Sequence, residues 1–500
     1  MKNFSLSLYA FHLRHTLTDG ASKVDENANL LWENLAQLGK NSLCFPGLKD
    51  LRSNLVCYEY EKNEYVYKPK PEEGRLTQWL SDVGELDLGI IPTLGGFKIN
   101  AKLQPFLFKN TYIADLSLLP EPRNISINVQ QLQYFKPSCL LPSKIQGSLG
   151  QTLLIYGEVE PYKNCEALAK EFSSALVEGT NLKPVLTNQG KLFGSFLFEY
   201  QAPDPDEPDN PAKQCHILIV LNNSYSPTVE LFGKAYDWLT NLFCSYHKIL
   251  FEYHKAEQRY QEAIEVYSYL ENTIQKFNGL AKESKNRLPE LKKLLAEIPQ
   301  KSLDYTRCLQ DLETDYTTIS TNITNYKICL DNITAIGSAN NTQPWQDFLS
   351  KIGLDKIIAI DEANSPQCWR DFLNKDCKKY QEQIQINIKY LVPGQEIFRQ
   401  TVETIRGVVE IQQAESDRSL ERTIQVLGVG FGGGAIISGI ATEHIKEVNI
   451  PLIHIYIKNP VSASIFWSAV ATLGFTMFAL LVTERKWFWL KQIVRYFRKK

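Results

Sequence analysis

The chain has 500 residues, too many for one hydrophobic core, with 22% charged residues, 44% hydrophobic residues and a formal net charge of −2. That balance excludes the strong basic bias of a nucleic-acid-binding surface, so no nucleic acid is expected among its partners. Ten cysteines fall without a CxxC pair or regular spacing, which argues against a zinc ribbon, a redox motif or a disulfide framework and for reduced, mostly buried thiols.

Residues 1–10 carry one lysine and no sustained apolar core before His12 and His15. They do not read as a signal peptide, and the first 420 residues or so are expected to stay in the cytosol. Residues 1–225 mix strand and helix signals. Runs rich in β-branched, aromatic and leucine residues at 3–12, 56–67, 150–158, 193–200 and 216–221 predict strands. Residues 165–178 predict an amphipathic helix between strands. The stretch 202–213, with four prolines and four acids, reads as a solvated loop. The expected class is α+β, with an N-terminal domain built on a mixed sheet.

No P-loop, HExxH or GxSxG motif occurs, so no enzymatic activity, cofactor or metal site is expected. His12 and His15 lie in a strand-like segment. His247 and His254, with Cys244, share one side of a predicted helix and flank its heptad core, the setting of packed or solvent-edge histidines.

At Ser226, a suitable N-cap followed by Pro227, the pattern turns helical. One heptad position reads Leu239, Tyr246, Tyr253, Tyr260, Tyr267, Ile274. The other reads Leu242, Ile249, Ala256, Ala263, Leu270, Phe277. A second run reads Tyr305, Leu309, Leu312, Tyr316, Ile319, Ile323, Tyr326, Leu330, Ile333. Residues 226–336 are thus expected to form an antiparallel coiled-coil stalk, with tyrosine facing alanine, a reversal at Asn278-Gly279 and breaks at Pro289 and Pro299. Residues 337–394 read as a short helical connecting unit, interrupted at Pro393-Gly394. Residues 395–441 then predict one helix of roughly 70 Å. Along it Glu403, Glu410 and Asp417 recur every seven residues. In a symmetric oligomer they would form acidic rings above a pore. The alternative is a solvated face paired with Arg399, Arg406, Arg418 and Arg422.

Residues 424–441 and 464–482 are uncharged segments of 18 and 19 residues, each long enough to span a hydrocarbon core as a helix. Arginines and lysines crowd both flanks, whereas the loop 442–463 holds only Lys446 and Lys458. Both termini are therefore expected on the cytoplasmic side of a plasma (inner) membrane. In the basic tail 483–500, Trp487 and Trp489 interleave with Lys491, Arg495 and Arg498, a pattern suited to an anchor at the lipid headgroups. Residues 428–433 match GxGxxG literally, but that fingerprint needs a preceding strand, and the charged stretch 415–422 reads as helix. Gly428, Gly430, Gly432, Gly434 and Ser438 instead form a small-residue face that lets membrane helices pack closely. Besides the bilayer, the expected partner is a second copy of the chain.

This order of parts resembles the CorA-type magnesium transporter family. The resemblance implies a cytosolic α/β domain, long antiparallel stalk helices, one long helix running into the first span, and a second span with a basic C-terminus. Where that family carries Gly-Met-Asn at the end of the first span, this chain reads Ser438-Gly439-Ile440-Ala441-Thr442. No selectivity residue carries over. The sequence thus supports two functions, a membrane-anchored sensor or scaffold and a CorA-like channel for cations.

Overall fold

A computed structural model of the protein describes residues 1–15, 24–69, 77–224, 226–280, 287–339, 366–414, 448–450 and 455–457. They divide into two units, Met1–Gln258 with Glu313–Ile386, and Arg259–Leu312 with Asn387–Lys500.

The first unit begins with β1 (Lys2–Leu13), α1 (Leu30–Asn41), α2 (Pro46–Lys49) and a hairpin of β2 (Tyr58–Glu61) and β3 (Glu64–Tyr67). Then come β4 (Thr77–Trp79), β5 (Leu86–Pro92), β6 (Lys98–Phe108) and β7 (Thr111–Glu121). After α3 (Pro142–Ile145) follow β8 (Gly150–Glu158), α4 (Cys165–Leu176), β9 (Val185–Leu192), β10 (Ser195–Ala202) and β11 (Cys215–Asn222). Nine strands form one sheet in the order β4-β6-β7-β1-β8-β11-β10-β9, with β5 also paired to β6. Every pairing is antiparallel except β8 with β11, which sets His216 opposite Thr152.

Alternation explains which side of each strand is buried where. Phe4, Leu6, Leu8 and Ala10 of β1 enter one continuous core with Trp32 of α1, Phe172 of α4 and Ile217 and Ile219 of β11. The opposite side of the sheet carries Ser7, Tyr9 and Phe11 of β1, and a long helix, α5 (Thr228–Leu280), covers it. Tyr9 meets Phe243 at 5.4 Å between ring centroids, and Tyr156 meets Phe232 at 6.2 Å. With both faces covered, β11 is buried along its whole length. That is why its sequence is a continuous apolar run from Ile217 to Leu221.

Two further long helices are α6 (Arg287–Ala339) and, after α7 (Gln367–Asp371) and a π-helical turn Phe372–Asp376, α8 (Cys377–Ala414). The class is thus mixed α/β, with a large sheet and long helices. The heptad positions Leu242, Ile249, Ala256, Ala263 and Leu270 of α5 are all buried. At the tyrosine position, three rings meet other tyrosines. In the first unit Tyr253 stacks on Tyr380 at 4.2 Å, and in the second Tyr260 lies 6.5 Å from Tyr390 and Tyr267 6.4 Å from Tyr305.

Several local expectations change. Helix α5 begins at Thr228, with the Leu231 amide on the Pro227 carbonyl, so Ser226 is not its cap. Its helical backbone continues through Asn278 and Gly279. Pro289 falls in the first turn of α6, where its missing N–H costs nothing. Pro299 lies inside α6 without ending it. Buried Leu291, Leu294 and Ile298 anchor that stretch, and their packing outweighs one lost hydrogen bond. Pro393 likewise lies inside α8.

Among the described residues, no helix is long and apolar enough to cross a membrane. The segments 424–441 and 464–482 lie outside the described residues. Within the loop between them, β12 (Val448–Ile450) and β13 (Ile455–Ile457) pair antiparallel, Val448 opposite Ile457.

Candidate functional site

Beneath α5 the sheet carries a line of polar side chains where an apolar interface would be expected. Ionisable groups in such a place are costly unless paired, and their partners define what they can do. Three neighbouring strands supply Thr152 (β8), His216 (β11) and Glu199 (β10), and α5 supplies His247. All four are buried, at 0%, 3%, 5% and 2% exposure. His216 Nε2 lies 2.9 Å from Glu199 Oε1, and His216 Nδ1 lies 2.9 Å from Thr152 Oγ1. The same hydroxyl oxygen lies 2.8 Å from His247 Nε2. One hydroxyl therefore joins two imidazoles, and a carboxylate stands at one end of the chain.

The other end has no partner. His247 Nδ1 is buried without a hydrogen bond. It faces Gly150, whose φ of +113° favours glycine and whose absent β-carbon would sit 2.8 Å from that nitrogen. The carbonyl oxygen of Pro211 borders the same bare spot, 2.9 Å from the position of that β-carbon. Burial, with the neighbouring His216, lowers the His247 pKa well below that of a free imidazole. Tyr246, next to it on α5, stacks on His216 at 4.7 Å, takes a hydrogen bond from Gln201 and packs on Phe372 of the π-helical turn at 4.8 Å.

Glu199, His216 and Thr152 have the atom types of an acid–histidine–hydroxyl relay. The hydroxyl is fully buried, however, and His247 occupies the place a substrate would need. The arrangement can store and redirect a proton, but it offers no surface for an acyl group.

Further along the same face, Asp115 of β7 accepts hydrogen bonds from Tyr236 of α5 at 2.7 Å and from Ser117 at 3.3 Å. Burial pushes its carboxyl up to about 6. Lys248 Nζ donates to Asn110 Oδ1 at 2.7 Å, and its pKa is lowered by burial. On the edge of the unit His12 is neutral and structural. Its Nε2–H donates to the Asn27 carbonyl and its Nδ1 accepts the Ser148 amide.

The sequence singled out His247 but not its partners. Their signal was present, since Glu199 is the one carboxylate in SFLFEYQA and His216 the one basic residue in CHILIVLN. Only strand order shows that both point at the same helix. His254 is only half-buried and pairs with Gln258 at 2.9 Å, and Cys244 is buried. In the loop 202–213, Lys213 pairs with Glu207 at 2.5 Å.

Glu403 and Glu410 are both exposed on α8. Arg399 holds Glu396 at 2.5 Å and Glu403 at 2.7 Å, the ion pairing of a solvated helix face. Asp417, the glycine face from Gly428 to Ser438, and the anchor residues Trp487, Trp489, Lys491, Arg495 and Arg498 lie outside the described residues. A broad open cleft of about 720 Å³ lies away from α5, between Ser42, Gln133, Lys136, Cys139 and Glu178. No known family, curated protein or solved structure matches the chain.

Proposed function

We propose that this chain is a membrane-anchored, homo-oligomeric sensor or scaffold, in which the sheet unit is cytosolic and its state reaches two C-terminal spans through the long helices. The supporting observation is α8, helical from Cys377 to Ala414 through Pro393 and directed along the sequence toward the uncharged segment 424–441. A helix that passes from a packed unit toward a span transmits rotation or tilt without an intervening loop. The glycine face of the first segment supplies the close helix contact that an oligomer needs.

A CorA-like cation channel is the second reading. It is supported by the exposure of Glu403 and Glu410, one heptad apart on α8, which leaves both carboxylates open to a neighbouring copy in a symmetric assembly.

Two measurements test these readings. Alkaline carbonate washing of membranes should leave the chain in the pellet, and deletion of 421–500 should release it. Purified oligomers reconstituted in liposomes would then be assayed for divalent-cation flux. Flux no greater than that of empty liposomes, with oligomers intact, removes the channel. Release of the full chain by carbonate removes both readings.

A further inference from the structure

The relay under α5 has two self-consistent proton arrangements, and they place a hydrogen on different atoms of His247. With one proton on each imidazole, His216 donates from Nε2 to the Glu199 carboxylate and accepts at Nδ1 from the Thr152 hydroxyl. The hydroxyl oxygen then accepts from His247 Nε2–H, leaving His247 Nδ1 bare. A bare nitrogen facing Gly150 is an acceptor without a donor, and under-satisfied buried acceptors are somewhat commoner in folded proteins than orphaned N–H groups.

One added proton reverses the chain. His216 becomes an imidazolium beside Glu199, so Nδ1 turns into a donor toward Thr152. The hydroxyl hydrogen must then point to His247 Nε2, and the single proton of His247 moves to Nδ1. Three hydrogens become four, and the new arrangement buries an N–H that has no acceptor.

We propose that the Glu199–His216–Thr152–His247 relay is a proton-operated latch, which seats α5 on the sheet when His216 is neutral and loosens it when His216 gains its second proton. The remaining ionisable groups around His247 do not offset that proton. On α5 these are Tyr246, Lys248, which is held by Asn110, and the buried thiol of Cys244. Strands β1 and β8 present Phe11, Gly150 and Thr152, none of them ionisable. Asp376 of the π-helical turn and Tyr326 of α6 act on Glu199 and Tyr246 rather than on His247. Relief comes from one of two movements. Either α5 lifts, or the Pro211 carbonyl advances across Gly150 to accept the new N–H. Both alter the seat of Tyr246 against Phe372, the contact that joins the relay to the turn preceding α8. The inference needs only the first unit and does not depend on the membrane reading.

Hydrogen-exchange mass spectrometry on the full chain in detergent, at pH 7.5 and pH 5.5 with intrinsic exchange rates corrected, reads the latch directly. Protection over residues 240–256 should fall several-fold at the lower pH in the natural protein. The fall should shrink markedly in His216→Gln and Thr152→Val, and persist in full in Thr152→Ser, which keeps the hydroxyl. Equal protection at both pH values, or an undiminished fall in Thr152→Val, overturns the proposal. Should the valine variant fail to fold, nitrogen-15 histidine spectra of the natural protein decide instead. The His247 hydrogen should move from Nε2 to Nδ1 as His216 takes its second proton, and a tautomer constant across that titration overturns the latch.

Discussion

Tyr305 of α6 donates its hydroxyl to the backbone carbonyl of Leu391 in α8 at 2.6 Å, two residues before Pro393. The ring fits there because Gly394 has no side chain, since a β-carbon at that position would overlap the tyrosine hydroxyl. A proline inside a helix frees the carbonyl four residues before it, here that of Lys389, so the Tyr305 hydroxyl adds an interhelical bond to Leu391 next to the proline rather than replacing the one Pro393 removes. Phe398, packed 5.3 Å from the same ring, completes the contact. Tyr305→Phe should cost about 1 kcal/mol by removing one buried hydrogen bond between the helices. Gly394→Ala should cost more, roughly 1–3 kcal/mol, because the ring must move. Urea unfolding of the detergent-solubilised chain, followed by far-ultraviolet circular dichroism, would rank the two, and the reverse order would contradict the fit of the ring over Gly394.

Asp115 should make the fold less stable as pH rises. Its carboxyl titrates near 6 in the fold against about 3.8 in the unfolded chain, burial being the main cause. The folded state therefore binds more protons between those values. Its contribution is full below about 3.8 and is lost as pH climbs through 6, at up to ~1.4 kcal/mol per pH unit. Asp115→Asn should flatten this part of the stability–pH curve. Tyr236→Phe should steepen it, by removing a donor to the carboxylate.

The buried histidines act in the opposite direction. His12 and His247 both have lowered pKa values, with desolvation as the first cause. The unfolded chain takes up their protons first, so the stability they allow is complete above about 6.5 and falls as pH drops below it. Thermal unfolding of His12→Gln should show a shallower loss between pH 6.5 and 5 than the natural protein.

Gly150→Ala should be among the most damaging single changes in the sheet unit. Its β-carbon would meet His247 Nδ1 at 2.8 Å and the Pro211 carbonyl at 2.9 Å, from a backbone φ of +113°. Strain and overlap together predict a loss of about 2–4 kcal/mol. A melting temperature within a degree of the natural protein would contradict the packing described for this end of β8.

Thiol labelling should discriminate sharply among the ten cysteines. Cys44 is exposed, Cys139 and Cys308 are half-buried and the other seven are buried. Burial pushes Cys215, Cys329 and Cys377 up to about 12, far from the reactive thiolate. Native protein at pH 7.5 should label first at Cys44, more slowly at Cys139 and Cys308, and the seven buried thiols should react fully only in denaturant.

Legibility differed between elements for physical reasons. Strand β8 and the helix starting at Cys165 were readable because alternation and helical spacing are local properties of consecutive residues. The heptads of α5 and α6 were readable on the same ground. Their partners were not. Tyr253 was expected against alanine, yet it stacks on Tyr380, more than a hundred residues away. Pro299 and Pro393 read as breaks because sequence weighs only the lost hydrogen bond. Buried Ile298 on one helix, and Leu391 and Phe398 on the other, hold those helices through the prolines.

By itself the sequence determined the class, the long helices, the two uncharged segments at 424–441 and 464–482 and the thiols without a disulfide framework. These follow from composition and from periods of two, three and a half and four residues, which a single strand or helix carries within itself. Only the tertiary structure decided that His247 shares one hydroxyl with His216. That required β8, β11 and β10 to lie side by side and α5 to cross the same face. A polar group in a strand shows its cost locally, but the partner that offsets it is chosen by strand order.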